Sequence, residues 1–488
     1  MRTKNLPPYA PTLIESTRAI GYSLETAVAD IIDNSIAANA KDVIISFFPI
    51  DDAYITILDN GKGMTEEEID VAMQYGSKNP IEERSEKDLG RFGLGLKTAS
   101  LSQCRCLTVI SKQGRYIVGR QWDIDHVSVV GDWSLNVLEE EDIWCIPQID
   151  KLVKNESGTL VVWQKLDRLK VGEFNFELSL GRNIDHVRDH LSLVYHRYLA
   201  GESGITKLKI SINGENIKGI DPFLSEKSVQ VMDDETLVIH GNKILVRPYV
   251  LPHISNLSSE EIKLLGGKDG LRKQQGFYIY RNKRLLVWGT WFRMMRQGDL
   301  SKLARIRVDI PNTLDHLWTL DIKKSSASPP AEVKKNLEVI INQIAERSKR
   351  TWTFRGKKEV SDTETHVWNR IKNRHGGFYY EVNRKHPIVQ QMIKVNPNIE
   401  VPLNALLQQI EIGLPLNQLY VDLNNDEQIT NDNEQSDVEI VKSLQEIITM
   451  CVGKQEKCNL LDAIACIDPY SSHLDIVEKL KEEILKND

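Results

Sequence analysis

The chain has 488 residues, of which 41% are hydrophobic and 27% charged, with 62 Lys+Arg against 69 Asp+Glu. These values sit near globular averages and argue against a disordered, collagen-like or transmembrane-bundle polypeptide, and the length corresponds to about three domains. Six cysteines (Cys104, Cys106, Cys145, Cys451, Cys458, Cys466) without CxxC spacing or nearby histidines make neither a disulfide framework nor a zinc site, so a reducing, cytoplasmic setting is expected.

Taken in chain order, the start MRTKNLPPYAP lacks the apolar core of a secretory signal, and no later run approaches the ~20 apolar residues that span a bilayer. Residues 24–40 place Ala27/Val28, Ile31/Ile32 and Ser35/Ile36 at intervals of four, which predicts an amphipathic helix entered through a capping-box-like Ser23 and Thr26. Its polar face carries Asp30, Asp33 and Asn34. Residues 42–49 and 53–60 read as paired strands, the second running directly into Gly61-Lys62-Gly63-Met64, and a helix follows at about 65–76. The polar stretch 77–90 reads as a loop or lid, 93–102 as a glycine turn opening a helix, and 105–122 as a hairpin. Strands are expected near 127–135 and at 158–164, and helices near 171–200. This order predicts an α+β sandwich, a mixed sheet with helices on one face.

A second α/β unit is expected over 205–330, ending at Pro329-Pro330, with a long amphipathic helix beginning at 331. Residues 331–393 then comprise this helix and a basic, aromatic-containing segment, and 394–488 a mainly helical acidic tail with a polar linker at 424–437. Residues 401–488 carry 17 acids and 6 bases, which leaves 52 acids and 56 bases in residues 1–400. Ten bases fall within 271–310 (Arg272, Lys273, Arg281, Lys283, Arg284, Arg293, Arg296, Lys302, Arg305, Arg307). Such a block either attracts a polyanion or forms a solvated sheet face. The interleaved Phe277, Tyr278, Tyr280, Trp288, Trp291 and Phe292 alternate as strand residues do and are expected mostly in a core.

Four short motifs carry chemistry: Asp30 to Asn34, Asp59 to Met64, Gly90 to Thr98 and Ser157 to Val161. Asp30 and Asn34, one helical turn apart, can hold a water and a Mg²⁺ ion, although the pair alone also fits a capping or solvated face. Asp59 at a strand end can accept a hydrogen bond from an exocyclic amine while Gly61 and Gly63 let a ring approach the backbone; an ordinary Asn-Gly turn is the other reading. Gly90, Gly93 and Gly95 before a helix would present backbone amides to phosphates, with Lys97 adding a charge, or else form a tight turn. The P-loop is out of register because Leu96 follows Gly95 before Lys97 and Thr98, and HExxH, GxSxG and kinase motifs are absent.

The order and spacing of these motifs resemble the GHKL ATPase superfamily of gyrase, heat-shock chaperones, histidine kinases and MutL, nearest to its MORC-like and MutL-like members. The resemblance covers residues ~15–200 and implies a Bergerat-type ATPase sandwich over 1–204. It implies an S5-like transducer domain over 205–330 and a helical C-terminal region. Residue by residue, it implies Asp30 as the base that activates water and Asn34 as the Mg²⁺ ligand beside Asp33. Asp59 would accept from the adenine amine, with Gly61, Gly63 and Met64 around it and Thr159 acting through a water. Gly90, Phe92, Gly93, Leu94, Gly95, Leu96, Lys97 and Thr98 would hold the phosphates under a lid at 77–89. A lysine of the second domain, Lys324 or Lys323, would reach the γ-phosphate. Two positions depart from the family: Asp30 stands where Glu is usual, which leaves a pseudo-ATPase as one reading, and Ala37 replaces a third carboxylate.

The resemblance further implies that ATP closes two protomers into a homodimeric clamp, as in stand-alone prokaryotic proteins of restriction-like antiviral defence. DNA is the expected cargo, from the block at 271–310 and from Arg370, Lys372, Arg374, Arg384 and Lys385. The alternative is a chaperone-like or scaffold clamp whose protein partners dock on the acidic C-terminal region. A histidine kinase lacks support because no histidine precedes His126, and a MutL-type endonuclease because the C-terminal region has no metal-ligand cluster.

Overall fold

Alternation of apolar and polar residues in the first 220 positions builds a mixed eight-stranded sheet. Its strands are β1 (Asp42–Phe48), β2 (Tyr54–Asp59), β3 (Cys106–Gln113), β4 (Tyr116–Asp123), β5 (Asn136–Leu138), β6 (Ser157–Gln164), β7 (Lys209–Ile212) and β8 (Glu215–Asn216). They lie in the order β5-β4-β3-β6-β2-β1-β7-β8, all neighbours antiparallel except β1 and β7. The computed structural model describes every residue except 1–2, 5, 7, 20, 51, 77–94, 173, 231–233, 254–255, 268–269, 299–300, 315–317, 319–328, 354–366, 373–377, 416–436, 452, 466, 468–469 and 487–488.

Helices α1 (Ala10–Arg18), α2 (Leu24–Ala37), α3 (Glu66–Met73) and α4 (Gly95–Leu101), with the helix Phe176–Val194, pack on one face. The reason for α2 is visible in its residues: Ala27, Val28, Ile31 and Ile32 meet Val43, Ile45, Ile55 and Ile57 of the sheet in one buried cluster, the stripe expected of an amphipathic helix. Ser23 takes the N-cap position of α2 without bonding the backbone there; its hydroxyl faces that of Thr26 at 3.0 Å. The capping box belongs instead to α3, where Thr65 and Glu68 cap each other. The opposite face is covered by two short helices, Glu140–Trp144 and Ile149–Lys154, whose Ile143, Ile149 and Leu152 sit on Leu58, Ile110 and Leu160.

One expected strand is corrected. Residues Ile124–Val130 form a helix, because Asp123 accepts the Asp125 amide at its start (3.0 Å) and Gly131, at φ 76°, ends it; end caps of this kind outweigh the β preference of three valines and an isoleucine. Only Asn136–Leu138 remains a strand in that region.

A second sheet contains β9 (Val229–Gln230), β10 (Glu235–Ile239), β11 (Asn242–Val250), β12 (Gly276–Arg281), β13 (Arg284–Thr290) and β14 (Ala304–Ile310). The main path is β10-β11-β14-β12-β13, with β9 also on β11. The helix Ala331–Thr353 lays Val333, Leu337, Ile340, Ile341 and Ile344 on one face with Phe277 and Ile279. The alternate residues Tyr278 and Tyr280 join Phe223, Tyr249 and Leu285 on the other face, against Leu193 of the first layer. The aromatics of β12 are therefore core residues on both faces of a buried strand.

The same burial revises the basic block. Arg281, Arg284, Lys302 and Arg305 are buried, and Arg305 donates to the carbonyls of Pro222 and Leu265. Within the block, Lys273, Arg293 and Arg296 are exposed. The buried guanidinium groups of Arg284 and Arg305 satisfy a carboxylate and two carbonyls rather than joining a surface patch.

Residues Met1–Thr353 form one compact unit and Phe354–Asp488 another. The second contains the hairpin of β15 (Trp368–Lys372) and β16 (Phe378–Val382) and a helical core around Leu444, Leu461, Ile464 and Val477. Arg384, expected as a nucleic-acid contact, is paired with Glu411. The expected linker lies outside the described residues apart from its last position, Asp437, which begins a helix. Among the described residues no helix is long and apolar enough to cross a membrane.

Candidate functional site

Strand register assembles the floor of the site. Asp59 at the end of β2 pairs across from Thr159 on β6, and Thr159 pairs in turn with Ser111 on β3. The Ser111 and Thr159 hydroxyl oxygens are 3.1 Å apart, and Ser111 also accepts the Met64 amide at 2.8 Å. Asp59 is buried; its Oδ1 accepts the Gly61 amide at 2.8 Å and its Oδ2 the Ser35 hydroxyl at 2.9 Å. Burial pushes its carboxyl above the usual 3.8, opposed by the hydrogen bonds from Gly61, Ser35 and Thr159. Two glycines of this floor are required by close approach: a Cβ on Gly63 (φ +70°) would lie 2.1 Å from the Lys112 carbonyl oxygen, and one on Gly158 (φ +155°) 2.1 Å from that of Asp59.

Asn60 has a structural task in the same turn. Its side chain accepts the amides of Lys41 and Asp42 at 2.8 and 2.9 Å and donates to the Asp42 carboxylate, tying the end of β2 to the start of β1.

The helix α2 supplies the wall. Asp30 is buried, and the Tyr22 hydroxyl donates to its Oδ2 at 3.0 Å. A side chain at Gly95, the first residue of α4, would occupy the space in front of this carboxylate, its Cβ 3.5 Å from Oδ2. Asn34, one turn further along, is exposed. Asp33 faces away from the floor: it is 1% exposed, and its Oδ1 meets the Tyr195 hydroxyl at 2.7 Å and Arg284 Nε at 3.1 Å.

The structure thus brings Asp30 to Gly95, and Asp59 to Gly61 and Thr159, with Met64 held on Ser111 beside them. Leu96 is half-buried, and Thr98 is buried in α4. Lys97 is buried and donates to the Ala72 carbonyl of α3 at 2.8 Å, so the helix pair holds its ammonium. Gly90, Phe92, Gly93, Leu94, the lid segment, Lys323 and Lys324 lie outside the described residues. Sequence reasoning missed Tyr22, Ser111 and Tyr195, which belong to no motif and join the site through strand register and helix packing, and it placed Arg284 only in the basic block. Ser35 was visible as the residue after Asn34, but only the fold shows that its hydroxyl supports Asp59.

A helix bearing Asp30 and Asn34 thus stands over a sheet that ends in a buried aspartate, two tight glycines and a threonine. Residues 22–159 match the family described as histidine kinase-, DNA gyrase B-, and HSP90-like ATPase, and the chain carries a GHKL-type ATPase domain. The chain is also similar to a MORC protein. It is 30% identical over 89 residues to the ATPase morc-1 of Caenorhabditis elegans, a match covering 18% of this chain and 10% of that protein. The chain therefore spans about a tenth of the length of this curated relative. The solved N-terminal domain of a DNA repair protein superposes with a TM-score of 0.44 at 17% identity, over 70% of this chain and 97% of that one.

Proposed function

We propose that the chain binds ATP at the Asp59 floor and hydrolyses it with Asp30 as general base. The observation that carries this reading is the buried Asp59 carboxylate in one cross-strand row with Thr159 and Ser111, facing a helix whose Asp30 is oriented by Tyr22. Asp59 accepts from the exocyclic amine of adenine, and Thr159 supports the ring through a water. Backbone amides around Gly93–Lys97 hold the phosphates. Asp30 takes the proton of the attacking water, and Lys324 or Lys323 offsets charge on the γ-phosphate. Such a site works by positioning and charge stabilisation, without a covalent intermediate.

The exposed amide of Asn34, together with the triphosphate, would hold a Mg²⁺ ion. When bound, that ion neutralises phosphate charge and orients the leaving group.

We further propose that ATP closes two protomers into a clamp on DNA. The MORC-like similarity supports this reading, and Arg293 and Arg296 are exposed bases of the second sheet's basic block that would meet phosphates. The defence setting in prokaryotes and the docking of protein partners on the acidic tail belong to the same proposal and stand on family resemblance and charge. The test is steady-state ATP hydrolysis with and without duplex DNA, with Asp30→Asn as the blank. Turnover stimulated by DNA and abolished in the variant is expected. Nucleotide binding without turnover overturns the hydrolytic reading, and light scattering that stays monomeric with a non-hydrolysable analogue overturns the clamp.

A further inference from the structure

Asp33 and Arg284 form a buried ion pair between the helix that lines the nucleotide site and the second sheet. Their side chains are 1% and 5% exposed, with Arg284 Nε 3.1 Å from Asp33 Oδ1. The sequence separation is 251 residues, so only the docking of the two layers creates it. The Tyr195 hydroxyl lies 2.7 Å from both Asp33 Oδ1 and the Ala29 carbonyl, and the guanidinium carbon of Arg284 lies 6.0 Å from the Tyr195 ring centre. Burial disfavours the charge of Arg284, and Asp33, Tyr195 and Asp30 together more than offset this, so the guanidinium stays firmly protonated.

The hairpin that delivers Arg284 is itself anchored. Arg281 and Arg284 are cross-strand partners, and the two turn residues between them, Asn282 and Lys283, both have positive φ (47° and 64°), as a tight two-residue hairpin turn requires. The Tyr198 hydroxyl donates to the Asn282 carbonyl at 2.6 Å, and Lys283 Nζ lies 3.4 Å from Glu202. The hairpin tip is thus clamped to the segment after the helix Phe176–Val194, and the first residue beyond the turn reaches α2. Within one turn of α2, Asp33 faces this hairpin while Asp30 and Asn34 face the nucleotide side.

We propose that Arg284 is a positioning residue for hydrolysis: by gripping Asp33 it sets the rotation of α2, and so the aim of Asp30, according to how the second sheet is docked. This rests on the ATPase reading above. A buried pair is weak evidence for added stability, because desolvation of both charges offsets their attraction; a role in fixing geometry is the better-attested use of such pairs. Arg284 is bonded to α2 through Asp33 and also interacts with Asp30 through charge, so its removal is expected to move the chemical step and spare adenine recognition.

The experiment uses the full chain and three variants. Arg284→Lys keeps the charge and loses the planar fork, while Arg284→Gln tests the uncompensated Asp33. The double change Asp33→Asn with Arg284→Gln removes the buried charges together and serves where Arg284→Gln fails to fold. Thermal midpoints, kcat and KM for ATP, and affinity for a fluorescent ATP analogue are measured on each. For Arg284→Lys and the double variant we expect kcat to fall about tenfold or more with KM and analogue affinity within about threefold, at thermal midpoints near that of the parent. Parental kcat in Arg284→Lys and in the double variant overturns the inference alone, as does a loss that appears in KM and analogue affinity rather than in kcat. A parent chain that turns over no ATP with or without DNA overturns the reading of the site, and this inference with it.

Discussion

The Ser35 hydroxyl of α2 donates to Oδ2 of Asp59 at the end of β2, 2.9 Å away, while the Gly61 amide holds Oδ1. This contact joins helix α2 to the end of β2 and leads to the first prediction. Burial raises the Asp59 carboxyl, so between 3.8 and its native value the folded state binds more protons than the unfolded state. Stability therefore falls as pH rises through that window and levels off above it. Asp59→Asn removes this cost and can keep both contacts, its carbonyl taking the Gly61 amide and its NH₂ donating to Ser35. The nucleotide-free thermal midpoint at neutral pH is expected at or above the parental value. Affinity for ATP should drop about tenfold or more, because an NH₂ now faces the adenine amine. Calorimetric titration and a melting curve on the same sample check both halves.

Tyr22→Phe removes the hydroxyl that holds Asp30 at 3.0 Å. Asp30 loses one orienting contact, so kcat should fall by about three- to tenfold with KM unchanged. Initial rates across ATP concentrations read the split directly.

Gly158→Ala places a methyl 2.1 Å from the Asp59 carbonyl oxygen in a backbone conformation at φ +155°. Backbone must move on both strands, and a loss of about 3 kcal/mol in stability is expected, with nucleotide binding weakened because Thr159 shifts with it. Gly76→Ala, where nothing lies within 4 Å, is the control for glycine removal; its φ of +72° leaves only the backbone cost.

His196 is buried and paired with the Tyr280 hydroxyl at 2.8 Å, and burial first of all pushes its pKa down to about 4. The unfolded chain takes up this proton near 6.5, so between 6.5 and about 4 the unfolded state binds more protons and stability falls as pH is lowered. The full effect is on the order of 3 kcal/mol below that window. His196→Gln should flatten the pH dependence of the thermal midpoint across it; an unchanged slope would show that another group governs the acid limb.

Much of the first layer was legible in the chain. Ala27, Val28, Ile31 and Ile32 announce α2 because a helix buries every third or fourth residue, and Asp59-Asn60-Gly61 announces a strand end because glycine follows the last alternating pair. Residues 127–135 misled for a local reason: valines favour strands, and the caps at Asp123 and Gly131 carry the information that decides for a helix. The basic block misled for a long-range one. Whether Arg281, Arg284 and Arg305 meet solvent or carbonyl groups depends on partners such as Asp33 and Pro222, dozens to hundreds of residues away.

By itself, then, the sequence determined which residues can do chemistry and on which elements they ride, since helical and strand periodicity and glycine turns are properties of a few neighbouring residues. The tertiary structure decided which of them act together. Cross-strand register set Ser111 and Thr159 beside Asp59, and the docking of two layers turned Asp33 away from the floor toward Arg284. Both outcomes arise from burial, which compels each polar group removed from water to find a partner wherever in the chain that partner lies.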